Sequence, residues 1–336
     1  MSTMPTTMPV FIHAPVFSHK LVPETMSASA MIGGCNFACQ FCGARGNPFM
    51  AADSIPEFSQ NQIREQMHRT IAAYSSIKIG GAGEPTLHPA QLELLARIAR
   101  DEHAEVIVDT NGSRPDVILA LIEAGLIDQV EVGLKGFTPE MAATRSGTRS
   151  TLLAWEHPHR LIRTIAEKHP SVRVFPTFVL NADTTAADIE TTFALFAHLA
   201  SSSLYLRFDN LIDPVDDDIV FHLLSVICGE QISFNGIDFK HGETIRKSAE
   251  GLAEHLLNLS RAGEASGARL LECGRTFLRE LSYPDFTFRP ADRQNMIDMI
   301  RKINSGHPEY ENRVIVVSHQ EGKYSEKGLL RLWLEP

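Results

Sequence analysis

The sequence predicts an α/β protein built as an incomplete parallel barrel, and three observations carry that expectation. Between residues 23 and 210, short apolar runs alternate with longer amphipathic stretches six times over, the pattern of strand-helix units around a parallel sheet. Helical stretches carry start and stop signals: Ser59 before Gln60, Pro89 before Gln91, and Pro115 opening a stretch that Gly125 closes. Polar and glycine-rich turns follow the apolar runs directly, at the end where parallel barrels place their functional groups.

The strands are expected at 27–32, 76–80, 105–109, 129–134, 172–179 and 204–208, and the best-marked helices at 60–73, 91–101 and 116–124. Residues 1–22 are rich in Met, Pro and Thr without periodicity, and are expected to form an extended arm with no chemistry of its own. From 211 to 336 the rhythm changes to an acidic turn (Asp213, Asp216, Asp217, Asp218), long helical stretches, and strand-like segments at 313–317 and 329–333. This is an α+β extension that caps or completes the barrel. Its Leu252, Leu256 and Leu259 stand at helical spacing and are expected in a core.

With 336 residues, 43% of them hydrophobic, the chain can bury a large core without staples. A formal net charge of −10 argues against nucleic acid as a main partner, because phosphate binding draws on clustered Lys and Arg. No run approaches the roughly 20 apolar residues that span a bilayer, and the first residues lack the pattern of a signal peptide, so a cytoplasmic protein without membrane contact is expected. Three of the five cysteines fall between Cys35 and Cys42, the opposite of a disulfide framework spread over long loops.

Those three stand in Gly33-Gly34-Cys35-Asn36-Phe37-Ala38-Cys39-Gln40-Phe41-Cys42, directly after an expected strand. Thiolates are the ligands of iron-sulfur clusters, and three of them leave one iron of a four-iron cluster open for a substrate. A structural zinc site would close with four ligands, and no fourth Cys or His stands near this loop. Cys228 and Cys273 are isolated and are expected as small buried hydrophobes. The spacing, with the aromatic Phe41 before the last cysteine, resembles the signature of the radical S-adenosylmethionine superfamily. The resemblance covers about residues 26 to 209. It implies a 4Fe-4S cluster on Cys35, Cys39 and Cys42 whose open iron chelates S-adenosylmethionine, and an electron donor such as flavodoxin or ferredoxin. One electron then yields methionine and a 5′-deoxyadenosyl radical that abstracts hydrogen.

Further motifs fit that resemblance. In Gly80-Gly81-Ala82-Gly83-Glu84-Pro85, a small-residue turn lets backbone approach a ligand while an acid accepts from an ammonium group; the turn looks like the superfamily's glycine-rich motif, implying Gly81, Gly83 and Glu84 at the methionine amino group. Asp109-Thr110-Asn111-Gly112 is also an ordinary turn signal, but it resembles a stretch of glycyl radical enzyme activases in which Asp109 and Asn111 would reach the cofactor. Lys135 matches those activases' Asp-x-Lys, which puts it near the cofactor carboxylate, while Gly133 stands where their Asp would be. Val179 and Asn181, at the end of the fifth strand, are implied beside the adenine. Arg207 and Asp209 either face a substrate or form a structural ion pair.

Three functional readings follow: an oxidoreductase, lyase or mutase acting on a small molecule; an activase acting on a glycine of a partner protein; or a cluster-binding protein without cofactor cleavage. The long extension and Gly133 weigh against the activase, Asp109 to Gly112 and Lys135 weigh for it, and the small-molecule reading is preferred. No further cysteine cluster and no cobalamin domain are visible in the sequence.

Overall fold

The computed structural model describes residues 7–17, 26–51, 53–54, 57–71, 75–81, 83–199, 203–211, 215, 217–229, 233–234, 237–238, 242–262, 267–283, 287–318 and 330–333. The first strands are β1 (Thr7–Phe17), β2 (Met26–Ile32) and β3 (Glu57–Ser59), followed by α1 (Gln60–Ile71). Strand and helix then alternate: β4 (Ser76–Ile79), α2 (Pro89–Asp101), β5 (Glu105–Thr110), α3 (Pro115–Glu123), β6 (Gln129–Leu134), α4 (Pro139–Arg145), α5 (His157–Lys168), β7 (Arg173–Leu180), α6 (Ala186–Phe196) and β8 (Leu206–Asn210). Beyond them come α7 (Asp217–Ile227), β9 (Ser233–Phe234), β10 (Ile237–Asp238), α8 (Glu243–Arg261), α9 (Gly267–Ser282), α10 (Arg293–Asn304), β11 (Val314–Ser318) and β12 (Leu330–Trp333).

All six strands expected from sequence are present in one sheet of order β12-β11-β8-β7-β6-β5-β4-β2-β1-β3. From β2 to β8 every neighbouring pair is parallel, as an incomplete (β/α)6 barrel requires. The segment expected at 313–317 is β11, a seventh parallel strand on β8, and β12 turns back antiparallel on it. Residues 7–17 of the expected arm are not a free extension: they form β1, antiparallel to β2 and to β3. Asp213 and Asp216 of the acidic turn lie outside the described residues.

The two faces of the sheet separate by the period of two along each strand. Ile77, Ile79, Val106, Val108, Val130, Val132, Val174, Phe178, Leu206, Phe208, Val314 and Val316 face the helices and join them in one core. Each such side chain, once buried, contributes roughly 1.5–3 kcal/mol. Ser59 caps α1 as its sequence implies, with Gln62 N–H donating to Ser59 Oγ and the Gln62 side chain accepting from Ser59 N–H. On the opposite, inner face the strand starts carry Phe175, stacked on Tyr205 with Ile315 beside them, and above this apolar floor the face turns polar.

A second core joins the extension to the barrel. Val220, Leu223, Ile245, Leu252, Leu278 and Tyr283, from α7, α8, α9 and the residue that follows, pack on Phe49. Leu252 is fully buried there, Leu256 lies at its edge and Leu259 is half-buried. No helix among the described residues is long and apolar enough to cross a membrane.

His307 links α6 to the approach of β11, with Nε2 3.1 Å from Glu190 and Nδ1 2.9 Å from Glu309. Burial opposes its charge, but the two carboxylates outweigh it and hold the pKa above the ordinary 6.5. A raised histidine pKa stabilises the fold fully below the unfolded value and loses that contribution as pH rises through the folded one. Thermal melts should therefore show wild type losing more stability than His307→Gln between about pH 6 and about pH 8; parallel profiles would rule the linkage out.

Candidate functional site

The three clustered cysteines lie on the loop that follows β2, and four segments fix its path. From β4 comes the glycine-rich turn, whose Glu84 N–H donates to Gly34 O at 2.8 Å. A Cβ on Gly83 would stand 2.3 Å from that same oxygen, so only glycine permits the approach. From the end of α4, Ser146 O accepts from Ala38 N–H and Arg145 O from Gln40 N–H. Phe37 and Cys39 pack against Ala142 of α4 and Ala154 of the π-helical turn Leu152–Glu156. After α9, Tyr283 Oη donates to Gly43 O at 2.7 Å.

Cys35 is exposed, Cys42 half-buried and Cys39 buried. Burial pushes the Cys39 thiol up to about 11 and also raises Cys35, which the Phe37 N–H lowers and Glu84 raises further; the Lys135 ammonium pulls both down, Cys42 raises both and Cys35 raises Cys39. The three thiols and Lys135 thus share one electrostatic environment. No three His, Cys, Asp or Glu side chains among the described residues are gathered tightly enough for a single metal ion. That donor set fits a multi-iron cluster, in which each thiolate holds a different iron. Cys35 Sγ accepts from Phe37 N–H at 3.4 Å and from Asn111 Nδ2 at 3.8 Å.

Glu84 does not open toward a ligand. It is 1% exposed, and its Oε1 accepts from Thr86 N–H, Thr86 Oγ1 and Thr110 Oγ1 while Oε2 accepts from Asn111 N–H at 2.6 Å. Burial raises its pKa against these four bonds. These bonds join the glycine-rich turn to the end of β5. Gly83 is likewise occupied with the cysteine loop. Gly81 is exposed, its backbone at φ +99°, with no atom closer than 4.0 Å to where a Cβ would stand.

The inner face of the sheet carries a chain of charges. Lys78 Nζ lies 3.0 Å from Asp109 and 2.8 Å from Glu131. Arg207 Nη1 lies 2.6 Å from the same Glu131 oxygen, and Arg207 grips Asp209 through two bonds of 2.7 and 2.6 Å. Glu131 thereby joins β4 and β8 across the intervening β5 and β7, as the concave face of a curved sheet allows. Burial alone would raise Asp109, but Lys78 and Lys135 hold it below the usual carboxylate range; burial lifts Asp209 despite its arginine. Arg207 and Asp209 form the ion pair that was one of the two readings of their sequence. The sequence motifs assign no role to Lys78 or Glu131; a charge inside Ser-Ile-Lys-Ile and Val-Glu-Val is the signal that finds them.

Lys135 follows β6, and a Cβ on Gly133 would meet its Nζ at 2.6 Å. Phe41 sets its ring edge-on to Phe288 at 5.9 Å, against the segment before α10. Val179 is half-buried on the inner face. Asn181 is tied to Thr184, whose Oγ1 donates to Asn181 Oδ1, and its buried Nδ2 has no partner among the described residues. Cys228 and Cys273 are exposed and half-buried; the expectation of two buried thiols is corrected, since both stand on outward positions at the end of α7 and on α9.

The Radical SAM superfamily model matches residues 29–183. A putative glycyl-radical enzyme activating enzyme of Methanocaldococcus jannaschii is 32% identical over 114 residues, covering 34% of this chain and 45% of that protein. A probable GTP 3′,8-cyclase of Thermococcus kodakarensis is 32% identical over 121 residues, covering 35% and 38%. The chain thus spans under half the length of both relatives. Among solved structures, a radical SAM methyltransferase from Sphaerobacter thermophilus superimposes with a TM-score of 0.42 at 15% identity, over 61% of this chain and 67% of that one. Streptococcus suis SuiB bound to its precursor peptide SuiA gives 0.41 at 13%, over 60% and 46%.

Three substitutions test this architecture. Glu131→Ala takes from Lys78 and Arg207 the carboxylate they share, leaving Asp109 and Asp209 beside them, and the loss of two buried charge-assisted bonds should cost roughly 3 kcal/mol in denaturant titrations, whereas Arg97→Ala, which breaks the exposed pair with Glu93, should cost under about 1 kcal/mol. Gly83→Ala should lower the melting temperature and the uptake of iron together, and normal values for both would show that the loops can separate.

Proposed function

We propose that this chain, whose residues 29–183 match the Radical SAM superfamily model, is a radical S-adenosylmethionine enzyme acting on a small, polar molecule. Cys35, Cys39 and Cys42 would hold the 4Fe-4S cluster, and three thiolates on a four-iron cluster would leave one iron for S-adenosylmethionine. Together the two cofactors supply a 5′-deoxyadenosyl radical that takes hydrogen from the substrate.

The protein's own part is to position, neutralise and dry the site. Gly81, exposed at the top of the inner face, offers backbone to the methionine ammonium, and Gly83 and Glu84 keep that turn against the cysteine loop. The Lys135 ammonium, near the thiols and Asp109, balances the cofactor carboxylate. Phe41 and Val179 supply apolar surface, and the spare Nδ2 proton of Asn181 suits an adenine nitrogen. Asp109 is the most exposed member of the charged chain, and exposure falls toward Glu131 at its base.

This charged inner face is the observation that favours a polar small molecule, because charges arranged above the apolar floor of Phe175, Tyr205 and Ile315 suit a compact polar group better than an apolar glycyl loop. The activase reading keeps one supporting observation, the relative of Methanocaldococcus jannaschii. An external one-electron donor such as a flavodoxin or ferredoxin completes either scheme.

Anaerobic reconstitution with iron and sulfide, reduction, and addition of S-adenosylmethionine should yield 5′-deoxyadenosine. Cys35→Ala, Cys39→Ala and Cys42→Ala should each abolish both cluster and product; product from any of them would sink the assignment. Deuterium transfer from a labelled small polar substrate into 5′-deoxyadenosine supports the small-molecule reading. A glycyl radical raised in a partner protein, with no such transfer, would replace it by the activase.

A further inference from the structure

Asn111 follows β5 and, by resemblance, was expected at the cofactor. Its surroundings direct it elsewhere. Ser113 N–H donates to Asn111 Oδ1 at 2.9 Å, which fixes which end of the amide is oxygen. Nδ2 therefore points the other way, donating to Asn36 Oδ1 at 2.9 Å and to Cys35 Sγ at 3.8 Å. Asn36 Nδ2 closes the ring by donating to Ser113 Oγ at 2.9 Å. The backbone N–H of Asn111 is held by Glu84, itself bound by Thr86 and Thr110. Asn111 is 6% exposed, Ser113 2% and Glu84 1%, so the amide has no freedom to swing toward a ligand without breaking several buried bonds.

We infer that Asn111 is a positioning residue for Cys35, which orients this thiolate through an N–H···S bond and, with Phe37 N–H, sets the reduction potential of the cluster. The inference rests on the reading of Cys35 as a cluster ligand. Reduction adds one negative charge to a cluster whose thiolates are already anionic, and a donor aimed at sulfur stabilises the reduced form more than the oxidised one. Asn111 thus makes the cluster easier to reduce. Glu84 acts one bond further out, by holding the backbone of Asn111 in place.

The test is the potential of the reconstituted cluster without S-adenosylmethionine, read by EPR during an anaerobic redox titration. Asn111→Leu keeps the branched shape and removes the donor. With full iron loading, its potential should lie below wild type, while Glu84→Gln, which loses the acceptor of the Asn111 N–H, shifts in the same direction by less. If the leucine variant does not load, Asn111→Ser, too short to reach Cys35, is read for the same downward shift. A wild-type potential in a loaded variant, combined with lost affinity for S-adenosylmethionine, would overturn the inference and return Asn111 to the cofactor. Failure of wild type itself to bind a cluster, seen before any variant is compared, would overturn the functional reading as well.

Discussion

A carboxylate that leaves water must be surrounded by donors or cations, because the cost of burying it alone exceeds what most folds can sustain. Glu84 and Glu131, each 1% exposed, organise the molecule through that requirement. Glu84 draws the turn after β4 to the end of β5 and, through Asn111, to the cysteine loop. Glu131 gathers Lys78 and Arg207 from strands on either side. The first fixes the rim of the barrel and the second its interior.

What could be read in the sequence follows from the range of the forces involved. The six parallel strands were legible because each is a short apolar run bounded by turns, and the cysteine loop because its spacing is local. The arm's β1 was not, since its pairing with β2 is decided by a partner outside any window of periodicity. Glu84 shows the same limit at a single residue. The sequence marks it as a lone acid in a small-residue turn, but its direction is set by Thr110 and Asn111, 26 and 27 positions away. The polarity of Cys228 and Cys273 was misread because a thiol is small enough for either side of a helix surface.

Gly133 illustrates how a departure from a family pattern acquires a physical cause. The place beside its Cα is filled by the Lys135 ammonium, 2.6 Å from any Cβ that could be built there. A side chain at 133 would displace the Lys135 ammonium from this position, which the flexible lysine stem allows. The charge that would have come from an acid at 133 is absent, and the attraction felt by Lys135 comes from Cys39, Asp109 and the other two thiols.

The bond from Tyr283 to Gly43 spans 240 residues of sequence. A ribosome adds roughly 5–20 residues per second, so the nascent cysteine loop waits tens of seconds for the clasp that α9 provides. During that interval the thiols are held only by elements already synthesised, first the turn after β4 and then the end of α4. Once the tyrosine arrives, the loop gains the last of the four segments that fix its path, so the order of translation is also the order in which the loop is closed.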